Sequence, residues 1–91
     1  MKYQLDIEKD AMNFVKSLPP KQFRQIFMAV MELLEVPRPF DTSSLKGYPE
    51  LRRKDIGEYR IIYEVEEATI HVLLIGKRND DQIYRQLHRK I

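Results

Sequence analysis

The chain has 91 residues, of which 43% are hydrophobic and 33% are charged, which is enough for one small domain over residues 1–91 but too little for two. Its 16 basic and 14 acidic residues give a net charge of +2, so the total charge points to no particular class of partner. The basic surplus lies at the end of the chain, because residues 77–91 carry five basic side chains against two acidic ones.

The composition also constrains the compartment. The absence of cysteine excludes a disulfide framework and a thiolate zinc site, which suits a reducing environment. No apolar run approaches the ~20 residues that a membrane-spanning helix needs, and the N-terminus lacks the apolar core of a signal peptide. We therefore expect a soluble, unprocessed protein of the cytoplasm.

The first half of the chain predicts a strand followed by a helical hairpin. Apolar and polar residues alternate over residues 3–7, the period of a half-buried strand. Helical spacing follows over residues 11–18, until Pro19-Pro20 ends one helix and opens the next. The apolar stripe from Phe23 to Leu34 predicts a second helix that faces the core. Residues 37–44, rich in proline and serine, are predicted as a loop.

The second half predicts a meander of three strands and a final helix. The strands are expected at Leu51–Ile56, Tyr59–Val65 and Thr69–Ile75. Ile83 and Leu87, one helical turn apart, mark the last helix. The order β-α-α-β-β-β-α predicts an α+β fold, with the helices on one face of a mostly antiparallel sheet and the other face open for function.

Side-chain alternation then sorts the charged residues of the strands. In the strand 59–65 the odd-numbered residues are tyrosine, isoleucine or valine, so they belong in the core and Arg60 points to the opposite face. In the preceding strand Arg53 and Asp55 share one face, whereas Lys54 lies on the other. The register between the two strands decides which set joins Arg60.

Four residues of the second half suggest a chemistry, namely Arg53, Arg60, Arg78 and Tyr84. Guanidinium groups and a phenol, without a histidine pair, suit work on a phosphodiester. RNA can be cut without metal when the 2′-hydroxyl attacks the adjacent phosphorus, which needs a proton acceptor, a donor for the leaving oxygen and positive charge around the phosphorane. We expect neither a metal nor a cofactor.

Each of these residues also has a structural explanation that the sequence leaves open. Arg60 could simply pair with Glu64 or Asp55 on the same face. Residues 52–54 could be the cationic margin of an edge strand. Arg78 could belong to a salt-bridge cluster at a helix entry, and Tyr84 could be part of the core. The chemical explanation holds only if the four side chains converge in space.

Two segments resemble a known family. The stretch Ser44–Val65 contains the motifs L-x-G-x-P and G-x-Y-R-I-I-Y, and the later stretch Val72–Arg78 ends in G-K-R and is followed by Ile83-Tyr84. Together they resemble the RelE/ParE superfamily of toxins from type II toxin–antitoxin systems, and the RelE branch in particular. The resemblance implies a small microbial-ribonuclease-like fold. It further implies cleavage of messenger RNA in the ribosomal A site and inhibition by a cognate antitoxin protein.

The resemblance also assigns site residues. The family's transition-state arginine falls on Arg60, its arginine after the last strand on Arg78, and its helical tyrosine on Tyr84. Arg60 would hold the nonbridging oxygens, Arg78 would stabilise or protonate the leaving oxygen, and Tyr84 would stack on a base or accept the proton of the nucleophile. The first basic residue of the second strand falls on Arg53, which would assist Arg60.

One position departs from the family pattern. The family's second basic residue falls on Asp55, which could act as the base itself, and a slip of one residue would recruit Lys54 instead. The surrounding cations are expected to bind the substrate: Lys46, Lys54, Lys77 and Arg85.

Two further functions remain open from the sequence. One is a ParE-like toxin without nuclease chemistry that inhibits a protein target such as DNA gyrase. The other is a non-catalytic module whose basic cleft only binds RNA, which the acidic residue at position 55 keeps open. In each case an acidic or amphipathic antitoxin segment could dock on the cleft or on the final helix.

Overall fold

The computed structural model describes residues 3–79 and 82–90. Within these residues the elements follow the predicted order, with one strand added in the middle of the chain. Their bounds are β1 Gln4–Ile7, α1 Lys9–Lys16, α2 Pro20–Glu35, β2 Thr42–Leu45, β3 Tyr48–Ile56, β4 Tyr59–Glu66, β5 Thr69–Lys77 and α3 Gln82–Lys90. None of these helices combines the length and the apolar character required to cross a membrane.

The strands form one sheet in the order β1-β5-β4-β3-β2. β1 runs parallel to β5, and the other neighbouring pairs are antiparallel. The predicted α+β fold with a mostly antiparallel sheet is therefore confirmed. The turn between β3 and β4 requires a left-handed backbone at Gly57, with φ of 58°, which glycine adopts without steric cost.

The prediction of a loop over residues 37–44 is wrong at its C-terminal end, because residues 42–44 belong to β2. β2 pairs with β3, with Thr42 opposite Lys54. The hydroxyl of Thr42 accepts a hydrogen bond from Arg52 Nη2 at 2.8 Å and donates one to the carbonyl of Pro39 at 2.7 Å. A Thr-Ser-Ser run has no apolar alternation of its own, so this strand depends on its partner.

β4 lies at the centre of the sheet, and its side chains alternate as predicted. Tyr59 and Tyr63 are buried in the core cluster that includes α1 and α2, whereas Ile62 is buried on the other face. The hydroxyl of Tyr63 donates a hydrogen bond to the carbonyl of Pro37 at 2.7 Å. The core assignment of the two tyrosines is thus confirmed, and alternation places Arg60 on the same face as Ile62.

The apolar stripe of α2 is only partly core. Ile26, Val30 and Leu33 are buried in the core cluster, whereas Phe23 and Phe27 are 37% and 47% exposed. These two rings stack with their centroids 6.2 Å apart. The prediction that the whole stripe faces the core is wrong for its first aromatic positions, where the rings cover each other instead of the sheet.

α3 packs on the face of the sheet opposite α1 and α2. Ile83 and Leu87 are buried there, in a second core cluster that includes Ile62 and Leu74. Their predicted role as the apolar side of a helix is confirmed, but the prediction that all helices share one face is wrong. Two apolar residues in a short helix fit either face, so their spacing alone does not select one. The functional groups of this face consequently lie beside α3 rather than on a bare sheet.

His71 of β5 connects several elements through its ring. Its Nε2 lies 2.8 Å from Glu8 Oε2, and its Nδ1 lies 3.1 Å from Glu64 Oε1. A neutral imidazole has one N–H, so two carboxylate partners favour the doubly protonated ring. Burial lowers the pKa of His71, but its hydrogen bonds to Glu8 and Glu64 outweigh burial and raise that pKa. Glu8 also accepts a hydrogen bond from Lys90 of α3 at 3.4 Å.

The free energy of unfolding is expected to depend on pH through His71. Because folding raises its pKa, the charged ring contributes stability that is fully present below the unfolded pKa of about 6.5 and is lost as the pH rises through the folded pKa. The substitution His71→Gln should cost about 1–2 kcal/mol at a pH below 6.5 and less at alkaline pH. Urea unfolding at both pH values measures the difference, and an equal cost would contradict a charged His71.

Candidate functional site

Arg60 and Asp55 form the centre of the candidate site. Arg60 is the second residue of β4, and Asp55 lies directly across from it on β3. Asp55 Oδ1 accepts a hydrogen bond from Arg60 Nε at 2.6 Å, and Asp55 Oδ2 accepts one from Nη2 at 3.1 Å. The carboxylate therefore binds one edge of the guanidinium group with both oxygens, the strong two-point form of this pair.

Tyr84 meets Arg60 from α3. Arg60 Nη1 donates a hydrogen bond to the Tyr84 hydroxyl, and the guanidinium carbon lies 5.8 Å from the centre of the ring, which is within the range of a cation–π contact. The ring packs against the core cluster under α3. Burial of the neighbouring Ile83 thus fixes the helix that carries Tyr84 to the cleft.

Arg78 reaches the same cleft from the end of β5. Its backbone N–H donates a hydrogen bond to the carbonyl of Glu58 at 3.0 Å, which holds the segment against the β3–β4 turn. Its Nη1 lies 4.0 Å from Asp55 Oδ2, and its side chain is 46% exposed. Arg78 is therefore a solvent-facing cation beside the Arg60–Asp55 pair.

Arg53 stands at the margin of the cleft. It lies two residues before Asp55 on β3, opposite Ile62 of β4, so it shares the face of Arg60. Its Nε donates a hydrogen bond to the hydroxyl of Ser43 on β2 at 3.1 Å. The pairing of β3 with β4 therefore places Arg53 and Asp55, and not Lys54, on the same face as Arg60.

The charged groups of the cleft shift the pKa values of one another in the direction that keeps them charged. The hydrogen bond from Arg60 is the largest influence on the pKa of Asp55 and lowers it against the opposing effect of burial, and the charges of Arg53 and Arg78 lower it further. The hydrogen bond to Asp55 raises the pKa of Arg60, again against burial, and Tyr84 adds to the rise. Three arginines thus face one carboxylate at neutral pH, which leaves the cleft cationic.

Two lysines that were predicted to bind substrate lie on the other face of the sheet from Arg60, so the strand pairing corrects both predictions. Lys54 is opposite Ile61 on the α1/α2 face, is only 6% exposed and pairs with Asp41. Lys77 is opposite Tyr59, so its side chain also belongs to the α1/α2 face. The slip that would recruit Lys54 in place of Asp55 does not occur.

The other two predicted cations lie in the turn before β3 and in α3. Lys46 is exposed in the turn between β2 and β3, at the end of β3 remote from Asp55. Arg85 of α3 borders an open depression next to the cleft, whose lining residues are Tyr48, Tyr84, Arg85, His88 and Arg89.

Sequence reasoning missed Tyr48 and His88. The Tyr48 hydroxyl and His88 Nδ1 are 3.4 Å apart, across the space between β3 and α3. One available signal was the spacing of four between Tyr84 and His88, which places both on one face of a helix. Within residues 3–79 and 82–90, no group of three or more acidic or histidine side chains is arranged to hold a metal ion.

A family model described as the ParE toxin of type II toxin–antitoxin systems, parDE, matches residues 5–82. The chain belongs to this toxin family. It is also 34% identical over 83 residues to the putative toxin RelE1 of Methanocaldococcus jannaschii, covering 86% of this chain and 92% of that protein. The mRNA interferase toxin RelE of Escherichia coli K12 is 28% identical over 96 residues, with coverage of 100% and 99%. The RelE-branch assignment made from the motifs is therefore confirmed.

Solved structures agree with this assignment. The free state of an arginine double mutant of E. coli toxin RelE matches with a TM-score of 0.82 and 25% identity, covering 100% of this chain and 99% of that chain. The toxin of the archaeal RelE–RelB complex from Pyrococcus horikoshii OT3 matches with a TM-score of 0.67 and 33% identity, covering 86% and 97%. The whole described fold is thus that of RelE toxins.

Proposed function

We propose that residues 1–91 act as a single toxin domain that cuts messenger RNA in the ribosomal A site, without a metal or cofactor. The observation that carries the proposal is the convergence of Arg60, Arg78 and Tyr84 on one cleft in a chain related to a named mRNA interferase toxin. The proposed location is the cytoplasm, where ribosomes and messenger RNA are found.

Arg60 is suited to hold the scissile phosphate even though it is paired. A guanidinium group has five N–H donors; Asp55 takes two and Tyr84 takes one, so two remain. Because Asp55 occupies the Nε edge, the remaining donors belong to the outer Nη groups, which match two nonbridging phosphate oxygens. Asp55 therefore acts as a positioning residue that orients Arg60.

The reaction then uses groups on both sides of that phosphate. The 2′-oxygen forms a bond to phosphorus, the bond from phosphorus to the 5′-oxygen breaks, and the products are a 2′,3′-cyclic phosphate and a 5′-hydroxyl. The Tyr84 hydroxyl relays the proton of the 2′-hydroxyl, passing its own phenolic proton to water as it accepts the new one, since both oxygens of Asp55 are engaged by Arg60. Arg78 donates a hydrogen bond to the leaving oxygen, and water supplies its proton. Arg53 adds positive charge at the margin.

Variants of Asp55 and Tyr84 are expected to change the cleavage rate by different amounts, which distinguishes the roles of the two residues. Tyr84→Phe should lower kcat by about 10²-fold or more, the usual contribution of a proton-transfer group. Asp55→Asn should lower kcat by about tenfold and leave the pH profile unchanged, because it only loosens Arg60. Single-turnover cleavage over a range of pH measures both. If the wild-type cleavage rate falls at acidic pH and this fall disappears in Asp55→Asn, Asp55 is the base instead.

The register of β3 gives a matched pair of lysine and arginine variants. Arg53→Gln removes a charge from the cleft face and should lower the cleavage rate by about tenfold. Lys54→Gln removes the same charge from the neighbouring residue, which faces away from the cleft, and should leave the rate unchanged. Initial rates on programmed ribosomes, compared at equal folded concentration, test this; similar losses in both variants would mean that only the total charge of the strand matters.

We also propose that a cognate antitoxin inhibits the chain. The P. horikoshii relative was solved as a RelE–RelB complex, and a cationic cleft offers charge complementarity to an acidic segment. A small acidic protein from a neighbouring gene should co-purify and suppress cleavage. Cleavage that is indifferent to this protein would count against the pairing.

A second function receives support from one observation, the description of the matching family model as a ParE toxin of parDE systems. A ParE-like chain would inhibit a protein target such as DNA gyrase and would need no reactive cleft. Expressing the chain alone and mapping breaks on translating ribosomes separates the candidates. Codon-phased cuts in messenger RNA support the nuclease, and gyrase-linked DNA damage supports the ParE-like function. If neither is observed, the chain is a module that only binds RNA.

A further inference from the structure

The open depression between β3 and α3 differs in character from the cleft beside it. Three residues with ring side chains line it, Tyr48, Tyr84 and His88, together with Arg85 and Arg89. Aromatic rings interleaved with arginines form the usual surface for single-stranded nucleic acid, since rings stack on bases and cations pair with phosphates.

The fold holds the two tyrosine rings in place. Both Tyr48 and Tyr84 are half-buried and pack against the core cluster formed with Leu45, Leu51 and Leu87. The Tyr48 hydroxyl also lies 3.4 Å from His88 Nδ1. Because these side chains belong to a strand and a helix rather than to a loop, little rotamer freedom is lost when a flat ligand binds.

Tyr84 is common to the depression and the cleft. Its hydroxyl accepts a hydrogen bond from Arg60, while its side chain also lines the depression with Tyr48. A polynucleotide with a phosphate on Arg60 would therefore have the depression as its neighbouring surface, on the other side of Tyr84. The charge of Arg85 and Arg89 suits the next phosphate along the strand.

We propose that this depression is a nucleobase site, in which Tyr48 stacks on the base of a nucleotide adjoining the scissile phosphate and Arg85 and Arg89 contact the backbone. The inference rests on the proposed function, whose cleft it extends. Because every base has a π-face, such a site adds affinity with little dependence on sequence. Tyr48 is here a substrate-contacting residue, and His88 a positioning residue that holds it.

The test uses short single-stranded oligoribonucleotides that carry one 2′-deoxy residue to prevent cleavage, each with an abasic residue at a different position. Tyr48→Leu keeps the apolar contact with Leu45 and Leu51 but removes the ring, and should weaken binding of the intact oligoribonucleotide by about tenfold. One abasic oligoribonucleotide should bind wild type and Tyr48→Leu equally, which identifies the nucleotide in the site. Fluorescence anisotropy reports both affinities.

Two variants serve as controls. Tyr48→Phe keeps the stacking ring and loses only the contact with His88, so it should weaken RNA binding clearly less than Tyr48→Leu does; an equal loss in both variants would show that the hydroxyl rather than the ring binds the RNA. Phe27→Leu removes an exposed ring from α2 and should also leave binding unchanged. Thermal unfolding of each variant confirms that the comparison is between folded proteins.

The outcomes separate this inference from the proposed function. If Tyr48→Leu binds every oligoribonucleotide as the wild type does, or if wild-type binding shows no dependence on any base, the nucleobase site is overturned. It is equally overturned if Tyr48→Leu weakens only the binding of an antitoxin peptide and not that of RNA, which would make the depression a protein interface. Wild-type protein that leaves ribosome-bound messenger uncut defeats the nuclease, while base-dependent binding through Tyr48 would still stand.

Discussion

Arg60→Ala is expected to lower the rate of messenger cleavage by about 10²–10³-fold, the usual cost of removing a preorganised donor to transition-state charge. Arg60 contacts both Asp55 and Tyr84, so its loss removes the phosphate contact and also the group that orients the hydroxyl. Single-turnover cleavage on programmed ribosomes measures the change. The Asp55 side chain is 35% exposed and can turn toward water, so the variant should remain folded.

Two further variants test whether the loss is specific to the guanidinium group of Arg60. Arg60→Lys keeps the charge, but an ammonium group has three donors and no planar fork, so it cannot replace the two hydrogen bonds to Asp55, the one to Tyr84 and the two proposed for the phosphate. It should lose most of the activity. Arg24→Ala removes the same charge from an exposed position on α2 and should be fully active. A fully active Arg60→Lys would reduce the role of Arg60 to simple charge.

The face on which Arg60 lies could be predicted from the sequence because side chains alternate along β4. Tyr59, Ile61 and Tyr63 occupy one core face, which leaves the opposite face for the arginine, and period-2 alternation is a property of one strand alone. The roles of Arg53 and Lys54 could not be settled in the same way. Adjacent residues of a strand face opposite sides, so choosing between them requires the pairing with β4, which is a property of two strands.

The position of α3 was beyond the sequence for a different reason. The spacing of Ile83 and Leu87 identifies the buried side of the helix, but it does not say which face of the sheet receives it. That choice depends on apolar residues of three strands that meet only in the folded sheet, such as Leu51, Ile62 and Leu74. The depression at Tyr48 was missed for the same reason, because β3 and α3 are far apart in the chain.

The edge strand β2 shows where pattern reading fails outright. Its serines satisfy no strand template, and its identity comes from hydrogen bonds with β3. The consequence for function is direct, since Ser43 of this strand holds Arg53 at the margin of the cleft. The motif resemblance assigned Arg53 to the site, but the contact that positions its side chain is seen only in the folded sheet.

Leu87→Ala is expected to destabilise the protein by about 2–5 kcal/mol, the range for removing a fully buried leucine side chain, and to abolish cleavage as well. Leu87 is 0% exposed and, with Ile83, attaches α3 to the sheet. Partial release of α3 moves Tyr84 away from Arg60, although neither residue is altered. Urea unfolding followed by circular dichroism gives the stability, and cleavage is measured under conditions where the variant is more than nine-tenths folded.

Leu33→Ala is the matched control for this prediction. Leu33 is also 0% exposed, but it belongs to α2 and to the core cluster on the other face of the sheet. It should lose a similar amount of stability and retain cleavage, because α3 keeps its contacts. If the two variants lose activity in proportion to stability, α3 has no separate role in carrying Tyr84 to the cleft. A selective loss in Leu87→Ala would instead connect the packing of one leucine to the geometry around Arg60.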